Sequence, residues 1–288
     1  MTQAATKPKK KSKLADIWRR LKKNKGAVIS MFLIIAIVLV AIFAPYIAPY
    51  DYDTQGETPF AEHGQEHLLG TDRLGRDVLS RLIYGARQSL LIGVASVALA
   101  AVIGIIIGAL AGYFGGWKDN VLMRILDVYQ SIPMMLLCIV LAAVLGPSMK
   151  NTIIALGVSM IPQFARMIRG SILTVRGMEY VDAAKSVNGG SFHIIMKHVL
   201  PNAISPLIVS ITMNIGNAIL IGAMLSFIGL GVQPPTPEWG TLISDARNYM
   251  RAHPTLAIYP GICIMITVLA FNLLGDGLRD ALDPRLKN

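Results

Sequence analysis

The sequence predicts an all-α integral membrane protein with six transmembrane helices. Three observations carry this. Only 15% of the 288 residues are charged while 53% are hydrophobic, against roughly 25% charged in ordinary soluble domains. Long apolar runs alternate with short charged segments. The chain starts with the basic run KPKKKSK, then WRRLKKNK, directly before the first apolar run. A net charge of +10 also suits nucleic acid, but lysines abutting an apolar run anchor a membrane segment at the cytoplasmic face. Membrane lipid is therefore expected as a partner, and nucleic acid is not.

The spans follow in order, each near the ~20 residues a bilayer core needs: Ala27–Ala44, Ser89–Gly112, Val121–Leu145, Thr152–Gly170, Ala203–Leu230 and Leu256–Leu274. The first is too long for a signal-peptide core of roughly 7–15 residues, and APYIAPYD lacks a small-x-small cleavage site, so a retained span is expected. This divides the chain into a basic tail (1–26), the first helix (27–44), an external loop (45–87), a five-helix body (88–277) and a C-terminal tail (278–288). The basic tail is expected to hold the N-terminus in the cytoplasm, and six spans would return the C-terminus there.

Within the second span Gly104, Gly108 and Gly112 recur every four residues and form a smooth stripe for close helix packing. At the start of the third, Arg124 and Asp127 stand three apart, which suits a pair on one helix face; a gate or subunit contact is the other reading. Pro133, Pro162 and Pro206 fall within the third, fourth and fifth spans, where each removes a backbone hydrogen bond and can kink its helix along a pathway. Cys138 and Cys263 both lie in apolar runs and are read as packing residues. His63 and His67 have metal-ligand spacing, but Gly64 weakens a helix there and no metal is expected.

The sequence contains no GxxxxGK[ST], HExxH or GxSxG motif. Acids and lysines are nearly absent from the middles of the spans, where ion-coupled carriers place them. Energy for transport would then arrive through a partner. A stand-alone carrier or channel and a membrane-embedded enzyme are the rival readings. The first lacks midplane charge, and the second lacks a cluster of His, Asp or Glu at one membrane face.

Between the fourth and fifth spans lies EYVDAAKSVNGGSFHIIMKHVLP, Glu179 to Pro201. It reads as a short helix to Val187, a turn at Asn188, Gly189 and Gly190, and a second short helix capped by Ser191, with Pro201 marking the fifth span. Ala183 and Ala184 are small enough for another surface to approach the backbone. A rigid arm of this kind transmits force; an amphipathic helix lying on lipid is the alternative.

This segment resembles the EAA loop of ABC importer permeases, EAA-x3-G-x9-I-x-LP. Asp182, Ala183 and Ala184 match with Asp for Glu, Asn188 takes the glycine position, His198 replaces the isoleucine, and Leu200 and Pro201 match. HLLGTDRLGRDVLSRLIYGARQSL (67–90), LSFIGLGVQPPTPEWGTLISDAR (225–247) and LAFNLLGDGLRDALDPRLK (269–287) resemble the C-type permease subunit of dipeptide/oligopeptide importers. The resemblance covers nearly everything after residue 25.

The resemblance implies a type I ABC importer transmembrane domain with a cytoplasmic coupling helix, in a bacterial plasma membrane. Glu179, Tyr180, Asp182, Ala183, Ala184, Asn188 and Gly189 would form the ATPase-docking element. It also implies a homologous second permease, two ABC ATPases, an extracytoplasmic binding protein and a peptide substrate. The chain would have no catalytic residue and no cofactor, with ATP and Mg held on the ATPases. Nickel chelates, glutathione and oligosaccharides are the alternative cargoes.

Overall fold

The structure, a computed structural model, describes residues 13–187 and 189–282. The lysine-rich start, Asn188 and the chain beyond Leu282 lie outside the described residues.

The centre of the fold is the pairing of two long helices, α4 (Val78–Phe114) and α7 (Met149–Val175), around which the others assemble. Before them come a short amphipathic helix α1 (Lys13–Leu21), the first apolar helix α2 (Lys25–Ile42) and one turn, α3 (Ala44–Ile47). Between them lie α5 (Gly116–Gln130) and α6 (Met134–Leu145). After α7 the chain forms α8 (Glu179–Ser186), α9 (Ser191–Ile194), a π-helical turn (Ile195–Val199) and α10 (Leu200–Ala203). It then continues through α11 (Ser205–Phe227), α12 (Trp239–Ala246) and α13 (Thr255–Leu282). The described residues contain no β-strand, only an isolated bridge between Thr71 and Asp77.

Close approach of α4 to α7 rests on the glycine stripe. A Cβ at Gly104 would stand 2.6 Å from Phe164 Cβ, one at Gly108 would overlap Ile168 Cγ2 and Ala165 O, and one at Gly112 would lie 3.0 Å from Arg169 O. Phe164, Ala165, Ile168 and Ile172 are fully buried against this face. Small residues let the backbones meet, which is the main source of helix association in lipid.

Four helices, α2, α4, α11 and α13, are long and apolar enough to cross a membrane, and a fifth span exists if the bent pair α5–α6 is counted as one. The expected six spans therefore stand at four or five on length and apolarity. The fourth expected span, α7, is long enough at 27 residues, but Arg166, Arg169 and Gln163 lower its apolarity. Its wholly buried face shows why: a helix sheathed by protein need not match lipid all round.

Several boundaries differ from expectation. α4 starts well before Ser89, because Asp77 caps it by accepting from Ser80 N at 2.7 Å, and the charged turns it adds are held by ion pairs. The third span is not continuous: it bends by 82° between Gln130 and Met134, with Pro133 at the start of α6. Pro206 sits in the first turn of α11, where a missing N–H costs nothing, so it is no interior kink. Pro162 does lie inside α7. α13 runs past Leu274 to Leu282, through Asp276, Arg279 and Asp280, because helical hydrogen bonding continues after apolarity stops. Cys138 is buried and Cys263 half-buried, both as free thiols.

At the end of the bundle carrying the loops 43–77 and 228–254, buried charge replaces apolar packing. Arg76 pairs with Asp72 at 2.7 Å and with Asp245 at 3.8 Å, and Arg81 reaches the same two carboxylates at 3.5 and 3.6 Å. Glu238, fully buried, caps α12 through Gly240 N and Thr241 N and accepts from Ser89 Oγ at 2.7 Å. Trp239 Nε1 donates to Leu82 O at 3.1 Å. These contacts bind α12, a helix absent from the sequence expectation, to α4. His67 Nδ1 meets Asp77 Oδ1 at 2.9 Å rather than pairing with His63.

Candidate functional site

Two features at the opposite end of the bundle, where α7 and α13 finish and α11 starts, form the candidate site. The first is a cavity of about 940 Å³ between α7, α11 and α13. Its polar lining consists of Gln163 from α7, Asn202 from α10, Ser205 at the start of α11, Ser210, Asn214 and Asn217 along it, and Asn272 and Arg279 from α13. Met167, Met213, Val209, Leu220 and Val268 supply the apolar remainder. Asn214 Nδ2 donates to Ser210 O at 2.8 Å, so that amide is already engaged along its own helix. The wall is thus mostly neutral, able to donate and accept hydrogen bonds, and it carries no carboxylate. The sequence reading did not single out these residues. The signal available was the spacing of Ser210, Asn214 and Asn217, which places three polar side chains on one face of an otherwise apolar helix.

The second feature is the arm. α7 runs through Arg176 into α8, and Arg176 Nη1 donates to Gly112 O at 2.8 Å, fastening the root of the arm to the end of α4. Val181, wholly buried, enters the same core as Ile168, Ile172, Ile194 and Val199. The arm is therefore packed on the bundle, not suspended from it. Glu179, Tyr180, Asp182 and Ala183 are exposed on α8, and Asp182 pairs with Lys185 at 2.8 Å. Ala184 differs: it is half-buried and packs inward against the core.

The turn also departs from expectation. Gly189 does not adopt a left-handed conformation. Its N–H donates to Ala184 O at 3.3 Å, and an added Cβ would lie 3.0 Å from that oxygen, so the glycine serves close approach. Ser191 is the first residue of α9 rather than its cap, which is Gly190, and no side chain caps that helix. Pro201 lies in the first turn of α10, ahead of the start of α11. Val187, Phe192 and Met196 stand 81%, 78% and 50% exposed. Met178 and Tyr180 are exposed as well, so the arm carries five exposed large apolar side chains within 178–196.

Two ion pairs bind α5 to the same part of α7. Asp119 accepts from Arg169 Nε at 3.0 Å and from Nη2 at 2.6 Å, and Asp127 accepts from Arg166 Nη2 at 2.7 Å. The expected pairing of Arg124 with Asp127 is thus replaced by one across two helices, because the bend at Pro133 lays α5 alongside α7. Asp119 is nearly buried. Replacing it by alanine is expected to lower stability by about 1–3 kcal/mol, toward the lower end because Arg169 keeps some water. The readout is the unfolding temperature in detergent, and no shift would remove this pair from the account of α5.

Comparisons with known proteins bear on this geometry. Residues 104–288 match the family described as "Binding-protein-dependent transport system inner membrane component", and residues 12–63 match "N-terminal TM domain of oligopeptide transport permease C". The di/tripeptide transport system permease protein DppC of Pseudomonas aeruginosa is 45% identical over 96% of this chain and 94% of its own length. The glutathione transport system permease protein GsiD of Pectobacterium atrosepticum is 43% identical over 95% and 91%. Among solved structures, an inward-facing conformation of the MetNI methionine ABC transporter matches with a TM-score of 0.58 at 20% identity, over 70% of this chain and 96% of that one. That likeness speaks to the fold alone. The chain belongs to the family of binding-protein-dependent transport system inner membrane components.

Proposed function

We propose that this chain is one permease subunit of an ATP-driven importer of small peptides, contributing one wall of the translocation pathway. The observation that carries this is the neutral, amide-rich cavity ending beside the arm. A small peptide carries a charge at each terminus and amides between them. A wall of amides and hydroxyls exchanges hydrogen bonds with that backbone. A midplane carboxylate or lysine would instead hold one terminus in a low-dielectric ion pair and slow release. Cargo choice then rests largely on the binding protein that delivers it. The likeness to a glutathione permease favours a second cargo of the same chemistry, since glutathione is itself a small peptide.

The remaining assignments follow from this reading. A second, homologous permease closes the open side of the cavity. Two ABC ATPases serve the pair of permeases, one of them docking on this chain's arm, with Glu179, Tyr180 and Asp182 as contact residues and no catalytic role. ATP and Mg belong to those subunits, and this chain binds no cofactor. The binding protein meets the opposite end, where the loops 43–77 and 228–254 are held rigid by buried ion pairs. Both termini lie in the cytoplasm. Closure of the ATPase pair moves the arms, and the packed junction of Val181 and Arg176 passes that motion to α7 and α4.

Affinity purification of this chain from native membranes in mild detergent tests the proposal. A second permease and Walker-motif ATPases are expected to accompany it; reproducible recovery of this chain alone, in conditions that preserve other membrane complexes, would defeat the reading. In such complexes Glu179→Lys with Asp182→Lys is expected to weaken ATPase retention roughly tenfold, since like charges then face the partner. The isolated chain's unfolding temperature should stay unchanged, because both side chains are exposed.

A further inference from the structure

We infer that the α1–α2 corner is a binding site for anionic phospholipid headgroups, and that lipid bound there holds α1 against the inner end of α13. The inference needs only that the chain is embedded in a membrane, and does not depend on what it transports.

Four observations lead to it. First, α1 is amphipathic, and its apolar side is already used. Leu21 is buried against Ala27 and Ala281, with Ile17 and Leu278 packed around them. Second, the opposite side and the connection to α2 carry Arg19, Lys22, Lys23 and Lys25, all exposed. Arg19 pairs with Asp16 at 3.0 Å. Among the described residues, no carboxylate pairs with Lys22, Lys23 or Lys25, and the exposed acids of the neighbouring helix, Asp276 and Asp280, make no ion pair with them. Four arginines near the ends of the bundle, Arg166, Arg169, Arg76 and Arg81, each have an aspartate partner. Among the described residues, the three lysines have no ion-pair partner. Third, Trp18 is 41% exposed with Lys22 Nζ 4.9 Å from its ring centre. An indole beside an ammonium is the pairing found at headgroup depth. Fourth, α2 begins at Lys25, with Asn24 as its cap, so the cations stand where an apolar helix meets the membrane surface.

Phosphodiester headgroups supply negative charge to these lysines, and the Trp18 ring inserts among the acyl chains beside them. The corner is also joined to the pathway. A Cβ at Gly277 would overlap Ala27 Cβ and lie 3.2 Å from Leu21 Cδ1, so α1 and α2 press directly on α13. Arg279 and Leu282, within two turns of that contact, line the cavity. Lipid that steadies α1 therefore steadies the cavity rim.

The test is native mass spectrometry of the purified full chain in mild detergent, titrated with phosphatidylglycerol or phosphatidylcholine. Retention of phosphatidylglycerol is expected to exceed that of phosphatidylcholine by about tenfold. The preference should disappear in the triple variant Lys22→Gln, Lys23→Gln, Lys25→Gln, and persist in Lys150→Gln at the other end of the bundle. Equal retention of the two lipids, survival of the preference in the triple variant, or displacement of the lipid by excess inorganic phosphate would each overturn the proposal. A second measurement needs no lysine variant. Brominated phosphatidylglycerol should quench tryptophan fluorescence in the unaltered chain more than in Trp18→Phe, and equal quenching would equally overturn it.

Discussion

Glutamate at both Val187 and Phe192 is expected to detach the ATPase while leaving the permease folded. The two side chains are 81% and 78% exposed, so neither belongs to the core, and changing them removes little packing that the chain makes with itself. An apolar side chain left in water is an ordinary occurrence, but these stand with the exposed Met178, Tyr180 and Met196 in one segment of the arm, 178–196. In a docked arm they would be desolvated, and a buried apolar anchor is worth about 2 kcal/mol or more. Introducing two carboxylates there should weaken ATPase retention by at least about 30-fold, the equivalent of one such anchor. The measurement is the amount of ATPase copurifying per permease, together with the permease's unfolding temperature. Loss of ATPase with an unchanged unfolding temperature is the expected result. Retention of the ATPase would mean that the arm's apolar surface rests on lipid and that docking uses another face.

Gly108→Leu is the opposite kind of change, expected to damage the fold and not the partnership. An added Cβ at Gly108 overlaps both a side-chain atom, Ile168 Cγ2, and a backbone atom, Ala165 O. The side chain could turn aside, but the carbonyl cannot, since it belongs to the middle of α7. The two helices must separate along the stripe from Gly104 to Gly112, where Phe164, Ile168 and Ile172 are otherwise fully buried. Overpacking of this kind costs about 1–3 kcal/mol in a soluble core and occasionally more. The upper part of that range is expected here, because backbone is involved and because in lipid this contact is what holds the pair together. The unfolding temperature in detergent should fall sharply and the yield of folded protein with it. Gly170→Leu, where nothing lies within 4 Å of an added Cβ, is the matched control. Equal behaviour of the two variants would show that the stripe is not the site of close approach.

The apolar runs, the helical first half of the arm and the repeat of glycines every four residues were all legible in the order of residues alone, because each depends on near neighbours. Hydropathy sums over a window, a helix face repeats within two turns, and a turn is set by the residues in it. The arm's exposed acids, Glu179 and Asp182, were legible for the same reason, aided by a motif resemblance that spans the segment.

What the tertiary structure decided are the relations between distant residues. Asp127 finds Arg166 rather than Arg124, since the bend before α6 lays α5 along α7. The start of α4 at Val78 reads as loop in hydropathy, because Arg81 is tolerable there only once Asp72 and Asp245 surround it. Glu238 looks like a solvated loop residue until Ser89 and the start of α12 enclose it. Ala184 and Gly189 each take a role set by what packs against them, Ala184 facing inward and Gly189 lying against a carbonyl. The cavity follows the same rule, since Gln163, Asn214 and Asn272 come from three helices that the sequence separates. Local order determines which segments become helices; which polar groups those helices share is determined by their packing, because a buried hydrogen bond or ion pair needs its partner brought from elsewhere in the chain.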